Sequence, residues 1–193
     1  MNELEIIRSQ LAVEQSHAAE VANACAAVFG SKGPGARSEA TTLFREACVS
    51  YLVWVLARFE ERDQTLSELI ASGRSPAARS AAAGARDLSS LITRSGTSRE
   101  ALSRLEAALA AGESQAAGSL WQEFARFFHS AWLPRRIALE KALTEHLGVA
   151  DWRAVCAIDA DSMLDERNRY AQVVAQLPPG IELQRTSPTA AEA

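Results

Sequence analysis

Glu14 and His17 are the residues of this 193-residue chain whose types and spacing come nearest to chemistry. Three positions apart, they project an oxygen and a nitrogen from one face of a helix, the arrangement by which bundle helices hold iron or manganese. Glu14 falls between Leu11 and Ala18, where the apolar stripe would ordinarily carry a leucine. The alternatives are a satisfied hydrogen-bonded pair and a stripe rotated far enough to bring Glu14 to water. On the next helical stretch Asp63 falls between Phe59 and Leu66 on the inward arc, with Glu60 beside it across one turn. An unpaired carboxylate there is costly to bury, so Asp63 must meet a cation, take a proton or reach water. Arg58 and Arg62 are near enough to be that cation, and the run Arg58-Phe-Glu-Glu-Arg-Asp63 also reads as a solvated face. Further on, His129 stands among Ala125, Trp132 and Leu133, and His146 follows Leu139 and Leu143. Arg136 and Glu140 have the spacing of a helix-surface ion pair.

Other chemistry has little to build on. Ser16 lies beside His17 without a recognisable orienting context. Cys25, Cys48 and Cys156 are odd in number, far apart and in no C-x-x-C pairing, so they read as small buried thiols and not as a disulfide framework or zinc finger. Gly30 to Gly35 precedes a helix but lacks the Lys-Ser/Thr of a phosphate loop. Arg79, Arg86, Arg94, Arg99 and Arg104 alternate with Asp87, Glu100 and Glu106, a solvated face. Twenty Lys and Arg against 24 Asp and Glu give a net charge of -4, which disfavours nucleic acid or anionic lipid as a partner. The start lacks the order of a signal peptide and no continuous apolar run reaches the roughly 20 residues of a bilayer span, so a cytoplasmic location is expected.

The elements that must position these residues are helical throughout. Leu4, Ile7, Leu11, Ala18, Val21, Cys25 and Val28 recur at three- and four-residue steps and predict a helix from Asn2 to Phe29. A second helix is expected from about Ser38 to Ser72, apolar over so wide an arc near Tyr51 to Leu56 that it belongs in the centre. Ser75-Pro76 offers a helix start, and Thr97-Ser-Arg-Glu100 is a capping box that predicts another, closed by Gly112. The longest pattern, about Glu113 to Leu147, contains Pro134 and should kink or break near Ala131 to Pro134. A last helical region spans roughly Asp151 to Leu177, interrupted near Asp159. Residues 1–177 are expected to form one domain and 178–193 a flexible tail. Trp54, Trp121, Trp132 and Trp152 should complete the core or anchor an interface.

The order of these elements, with an inward His17, then Tyr51-Leu-Val-Trp-Val-Leu-Ala-Arg-Phe-Glu-Glu-Arg-Asp63, then Leu133-Pro-Arg-Arg-Ile-Ala-Leu-Glu140, resembles the hemerythrin-like cation-binding bundles. The resemblance covers residues 1 to 177 in helix order. It implies an all-α, up-and-down four-helix bundle with an additional helical segment, and a metal site among its helices. That family places His-x-x-x-Glu on its second helix and His-x-x-x-His or Glu on its third; here Ala57 stands four before Glu61 and Arg136 four before Glu140. An alkyl group cannot ligate iron and a guanidinium repels a cation. Three histidines cannot assemble the His-rich diiron set, and only one Glu-x-x-His pair exists. The expectation is therefore a non-enzymatic protein with a partial or lost metal site drawn from Glu14, His17, Glu60, Asp63 and His129. Such a mixture of donors suits iron, manganese or zinc. The alternative is a helical interaction protein that dimerises or receives a partner helix through an aromatic face.

Overall fold

The computed structural model describes residues 2–30, 38–72, 85–144, 147–156 and 160–183, and every regular element among them is a helix. Helix α1 spans Glu3–Gly30 and α2 spans Glu39–Ser72. They are followed by α3 (Ala85–Ala110), α4 (Ser114–Phe127), a π-helical turn (Phe128–Trp132), α5 (Leu133–Thr144), α6 (Val149–Cys156) and α7 (Ala160–Ala175). The all-α class expected from the sequence is what the chain adopts.

Local chemistry sets the helix ends. Asn2 and Glu5 cap α1 reciprocally: the Glu5 amide donates to Asn2 Oδ1 at 2.9 Å and the Asn2 amide to Glu5 Oε2 at 2.7 Å. The Ser38 hydroxyl accepts from the Thr41 amide at 3.2 Å and begins α2. Gly112, at φ +70°, ends α3 in a left-handed turn, with Glu113 N–H donating to Ala108 O and Gly112 N–H to Leu109 O.

Two sequence expectations are corrected. The Thr97-Ser-Arg-Glu100 box does not start a helix; α3 runs unbroken through it. The Thr97 and Ser98 hydroxyls donate back to the carbonyls of Thr93 and Arg94, at 3.3 and 2.9 Å, in place of capping. The buried row Leu88, Ser95, Ser98, Leu102 and Leu105 holds one face of α3 against the core on both sides of the box. At Pro134 the chain neither breaks nor stops. The preceding turn widens to π geometry, Leu133 N–H donating to Phe128 O, which accommodates the missing donor and the ring of proline at the second position of α5. The Ser75-Pro76 start lies outside the described residues.

The core gathers around α2, which packs most extensively on α3 and also meets α1, α6 and α7. Phe44, Cys48, Leu52, Val55 and Phe59 on α2 are fully buried, as are Ala18, Val21 and Cys25 on α1. Averaged over its most apolar 18 residues α2 reaches a mean hydropathy of 1.2, enough by length and composition to cross a membrane; 44% of that window is buried inside the fold. The central position read from the wide apolar arc of α2 is the one it occupies. Trp121, Trp132 and Trp152 are buried, and Trp54 is half-buried beneath the guanidiniums of Arg58 and Arg169, each 4.9 Å from its ring. Past α7, Leu177, Ile181 and Leu183 pack on the core.

The π turn aims Trp132 at α3, where its indole N–H donates to Ser95 Oγ at 2.9 Å with both residues buried. Ser95→Ala orphans that donor and is expected to cost about 1–3 kcal/mol. Denaturant unfolding should show Trp132→Phe combined with Ser95→Ala losing less than the sum of the two single changes.

Candidate functional site

Three helices bring six charged side chains into the interior. Glu14, wholly buried on α1, is held by two arginines of α2, one turn apart. Arg62 grips it bidentately, Nη1 donating to Oε2 at 2.5 Å and Nη2 to Oε1 at 3.1 Å, while Arg58 Nη2 donates to Oε1 at 3.3 Å. Arg62 Nε also donates to the Cys156 carbonyl at 3.4 Å, which ties α6 to the cluster.

The second half centres on Arg136 of α5, which is 4% exposed. It donates through Nη1 to Asp63 Oδ1 and through Nε to Glu140 Oε1, the latter at 2.7 Å. Gln15 Nε2, from α1, completes Glu140 by donating to Oε2 at 2.5 Å. Asp63 Oδ2 is buried without a hydrogen-bond partner. Burial raises the Asp63 carboxyl to about 6 against the pull of Arg136, because that guanidinium is shared with Glu140, whose own charge pushes Asp63 the same way as burial. Burial alone would lower Arg136, and Glu140 and Asp63 together carry it above its ordinary value. The sequence expectations of a surface ion pair at Arg136–Glu140 and of a solvated run from Arg58 to Asp63 are both corrected here. Arg62 and Asp63 are buried because the arc of α2 that buries Phe59 and Leu66 carries its polar neighbours inward too, and Arg136 is buried where α5 meets Asp63 and the Phe59 carbonyl.

His17 belongs to a third arrangement. Its Nδ1 donates to Glu166 Oε1 of α7 at 2.8 Å, and the same oxygen accepts the Tyr51 hydroxyl at 2.9 Å. The imidazole stacks on Tyr170, centroids 3.6 Å apart and planes within 7°. The Tyr170 hydroxyl donates to Glu20 Oε2 at 2.5 Å, and the Ser16 hydroxyl to Glu20 Oε1 at 3.0 Å. A carboxylate bound to Nδ1 fixes the ring orientation and tautomer. Ser16 directs its hydroxyl at Glu20. The Cys25 and Cys156 thiols are quiet: burial and the adjoining Cys48 push Cys25 well up, and burial pushes Cys156 up to about 12.

The five residues singled out as donors are thus distributed. Glu14 is enclosed by arginines, Asp63 faces Arg136, and His17 faces Glu166. Glu60 is paired with Arg99 of α3 at 3.1 Å. His129 lies on the π turn, edge-on to Phe128, with Nε2 buried and unpartnered; burial lowers its basicity. Among the described residues no three His, Cys, Asp or Glu side chains are grouped to hold a metal ion. His146 lies outside the described residues. Tyr51, Glu166, Tyr170, Glu20 and Gln15 were not anticipated. A signal for Glu166 exists, since Met163, Glu166, Tyr170 and Val173 recur at helical spacing with a carboxylate on the inward row. No family model, curated protein or solved structure matches this chain.

Removing Arg62 leaves the buried Glu14 with only the longer contact to Arg58. Arg62→Met is expected to cost about 3–5 kcal/mol in denaturant unfolding, with Glu14→Leu in the same chain restoring much of the loss. Asp63 gives a pH signature. Its folded pKa lies above its ordinary 3.8, so its contribution is present in full below about pH 4 and is lost as pH rises through about 6. The stability difference between wild type and Asp63→Asn should therefore shift against wild type by up to about 3 kcal/mol between pH 4 and 7. A flat difference across that range would refute the assignment.

Proposed function

We propose that this chain is a non-enzymatic protein of the cytoplasm, built as an up-and-down helical bundle of hemerythrin-like arrangement, in which arginine side chains have taken over the place of a metal. The observation that carries the reading is the clamp of Arg58 and Arg62 on Glu14, matched by that of Arg136 on Asp63 and Glu140. In a metal-binding bundle, inward carboxylates are neutralised by the cation they ligate. Here three guanidiniums face three carboxylates, and the positive charge is covalently part of the chain. The residues present do not fit a dinuclear centre: Arg136 stands where the resembling family has a ligand, and Ala57 has no donor atom. The buried, free Cys25, Cys48 and Cys156 accord with a reducing compartment. With no nucleophile activated among the described residues, His17 engaged by Glu166 and His129 isolated, the scaffold is suited to binding and not to turnover.

Protein purified without chelator is expected to carry no stoichiometric iron, manganese or zinc by elemental analysis, and to gain no thermal stability when these ions are added. Stoichiometric metal in wild type that disappears in both His17→Ala and Glu14→Gln would overturn the reading.

A further inference from the structure

A cleft of about 170 Å³ opens between α1, α5 and α6, and Gln15, Glu140 and Trp152 form its polar and aromatic lining. We propose that this cleft binds a small organic cation, a primary ammonium or guanidinium on a short apolar stem. Leu11, Ala12 and Ile137 supply the apolar walls. The polar end is built from groups that are already fixed. Gln15 is 8% exposed, and its amide nitrogen is committed to Glu140 Oε2, so its orientation is set. Its other amide atom is a carbonyl oxygen, an acceptor. Glu140 receives one donor on each oxygen, from Arg136 Nε and Gln15 Nε2, and a carboxylate oxygen takes a second donor readily.

The sign of the ligand follows from the charges behind this wall. Asp63 and Glu140 share Arg136, so this half of the buried network has two carboxylates for one guanidinium, and Arg62 is turned to Glu14. A donor-rich cation at Glu140 and Gln15 supplies what that half lacks. An anion would meet the Glu140 carboxylate there; the donors of the lining are the Arg8 guanidinium and the buried, unpartnered Trp152 Nε1. Of these, Arg8 is exposed and already partnered. Trp152 adds an aromatic wall, and cation–aromatic contact favours an organic ammonium over a fully hydrated metal ion. Two protein oxygens also fall well short of the six that a hard metal ion requires.

The test is calorimetric titration of the full-length protein with n-butylammonium chloride, alongside sodium butyrate and magnesium chloride. The expected result is saturable one-to-one binding of butylammonium, with butyrate and magnesium each at least tenfold weaker. Ala12→Phe, at an exposed position of α1, fills the cleft without touching the charge network and should weaken butylammonium at least tenfold while the melting temperature stays near that of wild type. Glu140→Gln should also weaken butylammonium at least tenfold through loss of charge, at a cost in stability because Arg136 loses an anionic partner; if it fails to fold, Ala12→Phe carries the test. Absence of saturable butylammonium binding, equal binding of butyrate or magnesium, or binding untouched by Ala12→Phe each overturns the proposal. It goes beyond the reading of a replaced metal site and is separable from it, since stoichiometric metal would sink that reading and leave the Ala12→Phe result standing.

Discussion

The structure depends on guanidinium–carboxylate pairing carried out away from water. Glu14, Asp63 and Arg136 are almost fully buried, and an ion in that position is tolerated only when its partner and the remaining hydrogen bonds are in place. Such pairs contribute little net stability relative to well-packed apolar residues. Their effect is on register. Arg62 meets both oxygens of Glu14 in one relative placement of α1 and α2, and Arg136 reaches Asp63, Glu140 and the Phe59 carbonyl from one placement of α5. Sliding either helix by a turn would leave charges bare, which sets a far steeper penalty than sliding one smooth apolar face along another. The apolar residues around Phe59 make the core; the ion pairs choose which alignment of rods that core adopts.

Helix α7 is attached on different terms. Its buried side chains among those described are Glu166 and Val173, and Leu164 and Val174 face outward. Polar contacts do most of the docking: Glu166 to His17 and Tyr51, Tyr170 to Glu20 and the His17 ring, and Arg169 over Trp54. An element held by few apolar contacts belongs to the part of a fold that opens most readily. Because Glu166 Oε1 serves His17 and Tyr51 at once, loss of that single carboxylate would release contacts from both α1 and α2. Burial, with the Glu166 carboxylate beside it, drives the Tyr51 hydroxyl far above its ordinary range, so Tyr51 stays a donor at any relevant pH.

The helical class was legible because the three- and four-residue spacing of Leu11, Ala18, Val21 and Cys25, and of Phe44, Cys48, Leu52 and Val55, reports directly on which face is buried. What spacing could not convey was where a polar residue on that face finds its partner. Glu14 and Asp63 were visible as anomalies on an inward stripe. Their arginines were visible too, Arg62 beside Asp63 and Arg136 four before Glu140, yet local sequence pairs Arg136 with its helical neighbour and gives no hint of Asp63, 73 residues away. The capping box at Thr97 misled for a related reason. A hydroxyl serves the amide ahead of it or the carbonyl behind it, and the buried row from Leu88 to Leu105 decided for the carbonyl. Pro134 was legible as a disturbance but not as its outcome, since a break and a widened turn both answer a missing amide.

Substituting arginine for a bound ion changes more than the identity of a positive charge. A metal is exchangeable and presents open coordination positions, and some metals change oxidation state. A guanidinium has none of these properties and remains protonated at any pH the fold survives. On the proposed reading, the interior trades reactivity for independence from metal supply. The trade is incomplete on the side of Arg136, where one guanidinium answers two carboxylates and Asp63 Oδ2 is left without a donor. Burial there favours the protonated carboxyl, whereas Glu14, with two arginines on it, has cationic charge to spare. The network therefore balances in sum and not in each half. That local imbalance, beside a cleft whose wall is Glu140, is the feature a cationic ligand would recognise.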